Sequence, residues 1–209
     1  MTNLKYHNKS LELIGSQPKF SGETYPNLPA SVAEWYSLVN GVELLKEYSN
    51  TDFPLLPTEF KTYVYEGKEF IVFMYDNAGI LWYSFENNGN EDPPIWANFD
   101  SPPDNWLRDS ESFSTFIYTW LFDNLHYVKK DLIIRKKREP VQKGILETLF
   151  KEFVRQPVSH VGEGPTVYRF SSKDQRVSIF NYSTSSHWNF TADSQASLVE
   201  VYEKFEHLF

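Results

Sequence analysis

The sequence predicts an α+β fold: a multi-stranded antiparallel sheet with helices packed on it, followed by a C-terminal α-β-β-β-α extension. Three observations carry this prediction. Residues 61–99 alternate with a period of two between turn signals, as half-buried strands do. The segments 28–39 and 113–121, which flank that stretch, space their apolar residues by three and four, as one face of a helix does. The last third then runs helix, three short strands, helix.

Residues 1–26 are polar and weakly periodic; Leu11, Leu13 and Ile14 suit a short helix ended by Gly15 and Pro18. In NLPASVAEWYSLVNG, Leu28, Val32, Trp35 and Val39 share one face of a helix over 29–40. Pro29 fits its first turn, where a missing N–H costs nothing, and Asn40-Gly41 offers a left-handed stop. Residues 42–60 read as irregular, because Pro54 and Pro57 break any long element.

KTYVYEGKEFIVFMYDNAGILWYSFENN reads as three strands, joined at Glu66-Gly67-Lys68 and at Asp76-Asn77-Ala78-Gly79. A fourth follows Pro93-Pro94, from Ile95 to Phe99. Strand phase groups Tyr63, Tyr65, Phe70, Val72, Met74, Ile80, Trp82 and Phe85, and sets Phe73, Tyr75, Leu81 and Tyr83 opposite. The sheet is therefore either covered on both faces or keeps one face for a partner. Phe113, Phe116, Ile117, Trp120 and Leu121 give a helix over 111–124 one wide apolar face, with Asp109 or Ser110 as its cap. Both helices are expected on the sheet, burying Trp35, Trp82, Phe116, Ile117 and Trp120.

KKDLIIRKKREP, residues 129–140, is a basic connector whose Leu132-Ile133-Ile134 suits an edge strand guarded by charge. Pro140 opens a helix with Val141, Ile145, Leu149 and Phe153 on one face. Strands follow near 166–171, 176–182 and 187–191. A last helix from Asp193 to about Leu208 turns Leu198, Val201, Tyr202, Phe205 and Leu208 inward. The predicted division is thus a first domain over 1–128 and a lobe over 129–209.

The chemistry is mostly one of exclusions. There are no cysteines, so no disulfide framework, thiolate metal site or cysteine nucleophile exists. No phosphate loop is present; the glycine cluster GEGPT at 162–166 lacks the lysine and reads as a turn. Neither HExxH nor GxSxG occurs, and the five histidines are scattered, which suits surface positions rather than ligands. No metal, cofactor or catalytic residue is expected. The N-terminus is too polar for a signal peptide, and no apolar run is long enough for a membrane span. The expectation is a cytoplasmic protein that binds no membrane, in which the sequons at Asn8, Asn181 and Asn189 carry no glycan.

Charge is uneven. Residues 1–128 carry 18 acids and 7 bases, residues 129–209 carry 10 and 13. Between Lys68 and Arg108 there are seven acids and no base. Such a face repels nucleic acid and attracts a basic protein. Glu86, Glu91, Asp92, Asp100 and Asp104, with Trp106 as an aromatic anchor, are the expected partner-binding residues. The competing reading is a carbohydrate-active enzyme or sugar-binding module, with two of these carboxylates beside aromatic rings. Against it, carboxylates in Asn/Gly/Pro-rich turns are ordinary turn residues.

LPASVAEWYSLVNG, YDNAGILWYSF, EDPPIW and SFSTFIYTWL, in that order, resemble the SUKH superfamily, the Smi/Knr-like group. Leu28-Pro29 and Gly41 match its first helix. Asp76-Asn77-Ala78-Gly79 with Trp82 matches its turn and strand, with Asp in place of the usual Glu. Asp92-Pro93-Pro94-Ile95 and Ser112-Phe113 match the last two elements. The match spans about residues 25–125 and leaves the C-terminal third uncovered. The resemblance implies an α+β fold and binding rather than catalysis. Many bacterial members are immunity proteins that neutralise polymorphic toxins, often nucleases, and some eukaryotic relatives are regulators linked to cell-wall synthesis. It therefore implies a protein partner, a toxin domain, with a cell-wall-related regulatory scaffold as the alternative.

Overall fold

KEFIVFMYD is the strand around which the first sheet is organised. It is nine residues of mostly β-branched and aromatic side chains, long enough to take two partners in succession along one edge. The computed structural model describes residues 4–49, 51–99, 102, 104–128, 132–160, 162 and 164–207. It forms two compact units, Met1–Asn124 and Leu125–Phe209.

The first unit begins with three seven-residue helices, α1 (Asn8–Ile14), α2 (Ala30–Tyr36) and α3 (Gly41–Glu47). Six strands follow: β1 (Asp52–Pro54), β2 (Lys61–Tyr65), β3 (Lys68–Asp76), β4 (Trp82–Glu86), β5 (Ile95–Asn98) and β6 (Leu107–Ser110). The helix α4 (Phe113–Val128) spans the division between the units, which the sequence set after residue 128. The sheet runs β1-β3-β4-β5-β6, all antiparallel, with β2 also on β3. One edge of β3 takes β2 at residues 68–72 and β1 at 74–76.

The register of β3 on β4 shifts between Val72 and Met74. This bulge reverses the phase expected for its end. Phe73 lies on the helix-covered face with Phe113, Phe116 and Phe85, and Phe85 is thus opposite Phe70 and Trp82 rather than grouped with them, because residues 82 and 85 fall on alternate sides of β4. Tyr75 instead meets Trp82 on the other face, with Phe70 and Val72. Trp35, Phe116, Ile117 and Trp120 are buried as expected, whereas Trp82 is only half-buried.

The expected helix over 29–40 is shorter, ending at Tyr36, and a second helix, α3, begins at Gly41 and runs into the stretch 42–60 that reads as irregular. Gly41 is not a left-handed stop; it starts α3 without a positive φ. A Cβ on Gly41 would lie 2.4 Å from the Trp35 carbonyl oxygen, so glycine is needed for close approach. Val39 is consequently 57% exposed, and Leu38 is buried in its stead. Asp109 and Ser110 do not cap α4 but lie in β6. Ser112 is the cap: its Oγ accepts the Thr115 N–H at 3.2 Å and its carbonyl accepts the Phe116 N–H at 2.9 Å.

The second unit continues with β7 (Ile133–Arg138), α5 (Lys143–Glu152), β8 (Val154–Arg155), β9 (Ser159–His160), β10 (Thr166–Ser172), β11 (Gln175–Asn181), β12 (Ser186–Ala192) and α6 (Gln195–Glu206). Its antiparallel sheet runs β7-β12-β11-β10-β8, with β9 also on β10. The basic segment is therefore a strand at the end of the sheet. One face is sealed by α5 and α6, which bury Leu149, Leu198, Val201 and Phe205 against Phe170, Val177, Ile179, Trp188 and Phe190. Ser194 caps α6 through its Oγ, which accepts the Ser197 N–H at 3.2 Å. The expected core position Leu208 lies outside the described residues.

Candidate partner-binding face

The acids expected to meet a partner are largely engaged within the first unit. Glu91 accepts from the Lys5 ammonium at 2.6 Å and from the Tyr6 hydroxyl at 2.7 Å. The bond from Lys5, then that from Tyr6, holds the Glu91 carboxyl below the usual carboxylate range and pushes Lys5 up. Its carbonyl also accepts the Ser31 N–H at 2.9 Å, which ties the residue to α2. Asp92 serves the start of α4: its carboxylate accepts the Ser114 N–H at 3.0 Å and the Ser114 hydroxyl at 2.6 Å.

Glu86 has only 14% of its side chain exposed and stands 3.7 Å from the Lys68 ammonium. Asp104 is exposed, and its carbonyl accepts a bond from the buried Asn98 side chain. Asp100 lies outside the described residues. The carboxylate of Asp76 belongs to its own turn, accepting the N–H groups of Ile80 at 2.8 Å and Leu81 at 3.0 Å.

Trp106 requires a correction. It is 6% exposed and stacks on Phe70, with ring centroids 5.1 Å apart and planes at 16°. It is not a surface anchor. Phe70 and Val72 lie mid-sheet on the face away from the helices and need a cover; Trp106 supplies it, because a 25 cal/mol/Å² gain for apolar area removed from water favours folding a large ring over them (a rough figure).

That face carries a cluster of partly buried rings. Around Phe70, Val72, Leu55 and Trp106 lie the half-buried rings of Tyr63, Tyr65, Tyr75, Trp82 and Trp96; among the described residues this cluster includes none from an α-helix. Three cations border it. The Lys61 ammonium is 5.4 Å from the Trp82 ring, the Lys68 ammonium 4.6 Å from Trp96, and the Arg108 guanidinium carbon 5.9 Å from Trp96. The Trp82 indole N–H donates to the Gly79 carbonyl at 2.7 Å, which fixes that ring over its own turn. Strand pairing explains the assembly: Tyr63 faces Phe70, Tyr75 faces Trp82 and Trp96 faces Arg108 across adjacent strands.

On the opposite face sits a residue the sequence left among the surface histidines. His7 is fully buried, packed edge-on against Trp35 at 5.0 Å and Phe113 at 5.8 Å. Its Nε2 lies 2.8 Å from the Ser31 carbonyl, which can only accept, so Nε2 carries the hydrogen. Burial pushes the imidazole below its ordinary pKa, against the opposing pull of the Ser31 carbonyl, Glu34 and Asp92. The Glu34 carboxylate in turn accepts the N–H groups of Lys5, Tyr6 and His7 at 2.6, 2.8 and 3.0 Å.

Among the described residues no group of three or more His, Asp or Glu side chains could hold a metal ion, and no helix is long and apolar enough to cross a membrane. No family model matches the chain, and neither a curated protein nor a solved structure does. The SUKH resemblance accordingly rests on the order and spacing of its motifs.

Proposed function

We propose that this chain is a non-catalytic binding protein of the toxin-immunity type, acting in the cytoplasm. Its partner-binding surface is the sheet face bearing Tyr63, Tyr65, Tyr75, Trp82 and Trp96. The observation that carries the reading is this half-exposed aromatic cluster with Lys61, Lys68 and Arg108 on its border. Tyr, Trp and Arg are the residues in which protein interfaces concentrate their binding energy, whereas a monomer gains nothing by leaving several such rings uncovered. The four-part resemblance supports the immunity assignment, and the hydrogen bonds that tie Asp92 to α4 and Glu91 to Lys5 at the surface support binding over acid–base chemistry.

The border of this face carries Lys61 together with Lys68 and Arg108, which are paired with Glu86 and Glu111, so the partner contact rests on the rings, with Lys61 favouring a carboxylate beside them. A toxin domain encoded beside this chain's gene should bind it directly and lose its toxicity when the two are expressed together. Absence of both effects removes the immunity reading. A sugar-binding module is the second reading, favoured by the same half-exposed rings; glycan binding abolished by Trp96→Ala, with no toxin binding, would select it.

A further inference from the structure

We propose that β7 is an open sheet edge that takes an acidic extended segment of a partner protein as a further strand of the second unit's sheet. β7 ends the strand order β7-β12-β11-β10-β8, and among the described residues it pairs with β12 alone. Its register shows where each backbone group points. The Ala192 N–H donates to the Leu132 carbonyl at 3.3 Å, and the pairing continues without a shift from Ile133 opposite Thr191 to Arg138 opposite Ser186. In an antiparallel ladder hydrogen-bonded and non-hydrogen-bonded pairs alternate. Residues 132, 134, 136 and 138 therefore bond to β12, while Ile133, Arg135 and Lys137 turn their N–H and C=O groups outward. Among the described residues the one bond that reaches those groups runs from the Arg138 guanidinium to the Lys137 carbonyl at 3.0 Å, and a carbonyl has a second lone pair to offer.

The side chains along this edge divide by face. Ile134 packs on the helix-covered core, and Lys136 shares that side, its ammonium 5.0 Å from the Tyr202 ring centre. Arg135 and Lys137 stand on the other side, opposite Asn189 and the exposed His187 of β12. Both are exposed, and no ion pair holds either among the described residues. An added antiparallel strand sets one side chain directly opposite each of them, on the same face, where opposite charges stabilise the pair. Carboxylates at those two alternate positions answer the two cations. Apolar residues in the positions between and after them lie beside Ile134 and the stem of Lys136. Glu139 is exposed just past β7 and opposes acids beyond Lys137, which limits the acidic stretch to these two positions.

Charge and backbone together select the occupant. A second copy of this chain pairing through the same edge would face cation with cation across the ladder, which is destabilising. A nucleic-acid strand would meet the cations and leave the outward N–H and C=O groups without ladder partners. An acidic extended segment matches both. Strand addition to an open sheet edge is an established mode of peptide recognition, in which the main chain supplies affinity and alternate side chains supply specificity. This edge lies in the second unit and does not depend on the aromatic face of the first.

The test is a ¹H–¹⁵N NMR titration of the full chain with acetyl-Thr-Glu-Val-Glu-Val-Thr-amide. Set antiparallel, its glutamates fall opposite Lys137 and Arg135 and point their own N–H groups at β7. The peptide should shift the amides of residues 133–137 and slow hydrogen exchange at Ile133, Arg135 and Lys137. Methylating both glutamate nitrogens, or replacing both glutamates by lysine, should weaken binding at least tenfold, whereas methylating both valine nitrogens should leave it nearly unchanged. The double variant Arg135→Gln, Lys137→Gln, exposed at both positions, should also bind at least tenfold more weakly. No shift at 133–137, equal loss from either pair of methyl groups, or equal binding of the lysine peptide would each overturn the proposal. So would the same shifts from a deoxythymidine hexamer, or from concentrating the chain alone.

Discussion

Trp106 and His7 show what a single residue's sequence neighbours can hide. Trp106 stands among acids and turn residues, which argues for the surface, yet in space it lies on Phe70. What the sequence does not carry is the return of the loop after β5, held where Asn98 bonds the Asp104 carbonyl. Trp106→Ala should destabilise the protein by roughly 3–5 kcal/mol in a urea titration, the range for a buried ring; a loss below about 1 kcal/mol would put it at the surface. His7 lies in a polar stretch with only Leu4 and Leu11 at core spacing around it, both buried with it, and the backbone of residues 5–7 is held by three N–H bonds to the Glu34 carboxylate of α2. Its folded pKa is below 6.5 and its unfolded value is near 6.5, so as pH falls the unfolded chain takes the proton first. The stabilisation from neutral His7 is therefore full above about pH 6.5 and is lost as pH drops below it. Between pH 7.5 and pH 5.5 the wild type should lose stability relative to His7→Gln; a difference that stays constant with pH would contradict a buried neutral imidazole.

At the scale of elements, the sequence was most legible where turns and alternation coincide. The strands 61–65, 68–76, 82–86 and 95–98 follow the predicted runs closely, because Gly67 and Gly79 supply the positive φ their turns require. The bulge at Phe73 was not legible: IVFMY is apolar throughout, so no polar residue marks the change of phase. For that reason the aromatic face was predicted with the wrong members at its end. The helix α3 was missed behind two prolines, although Val42, Leu45 and Tyr48 keep a three-residue spacing and are all buried. Gly41→Ala should cost about 1–3 kcal/mol, as overpacking does, because the added Cβ meets the Trp35 carbonyl. Asn is tolerated at a left-handed stop and would replace Gly41 cheaply if it were one. Thermal unfolding of the Ala and Asn variants decides: equal damage supports close packing, and an intact Gly41→Asn contradicts it.

At the scale of the whole molecule, the α+β class and the presence of two antiparallel systems were legible from periodicity alone. Charge asymmetry was legible too, but its use was not. Composition places acids in a segment without saying which of them the fold consumes, and here Glu91 is spent on Lys5 and Asp92 on α4. The aromatic rings left half-exposed are instead bordered by cations. The central claim is that this face, not the acidic segment, meets a protein partner. Its most direct test is binding kinetics between this chain and the proposed toxin-domain partner, comparing wild type with folded Trp96→Ala and Asp104→Lys. Trp96→Ala should speed dissociation and weaken binding by about 2 kcal/mol or more, as loss of a central aromatic does, with Asp104→Lys close to wild type. Unchanged binding by Trp96→Ala together with slower association by Asp104→Lys would contradict the account and return the interface to the acidic segment.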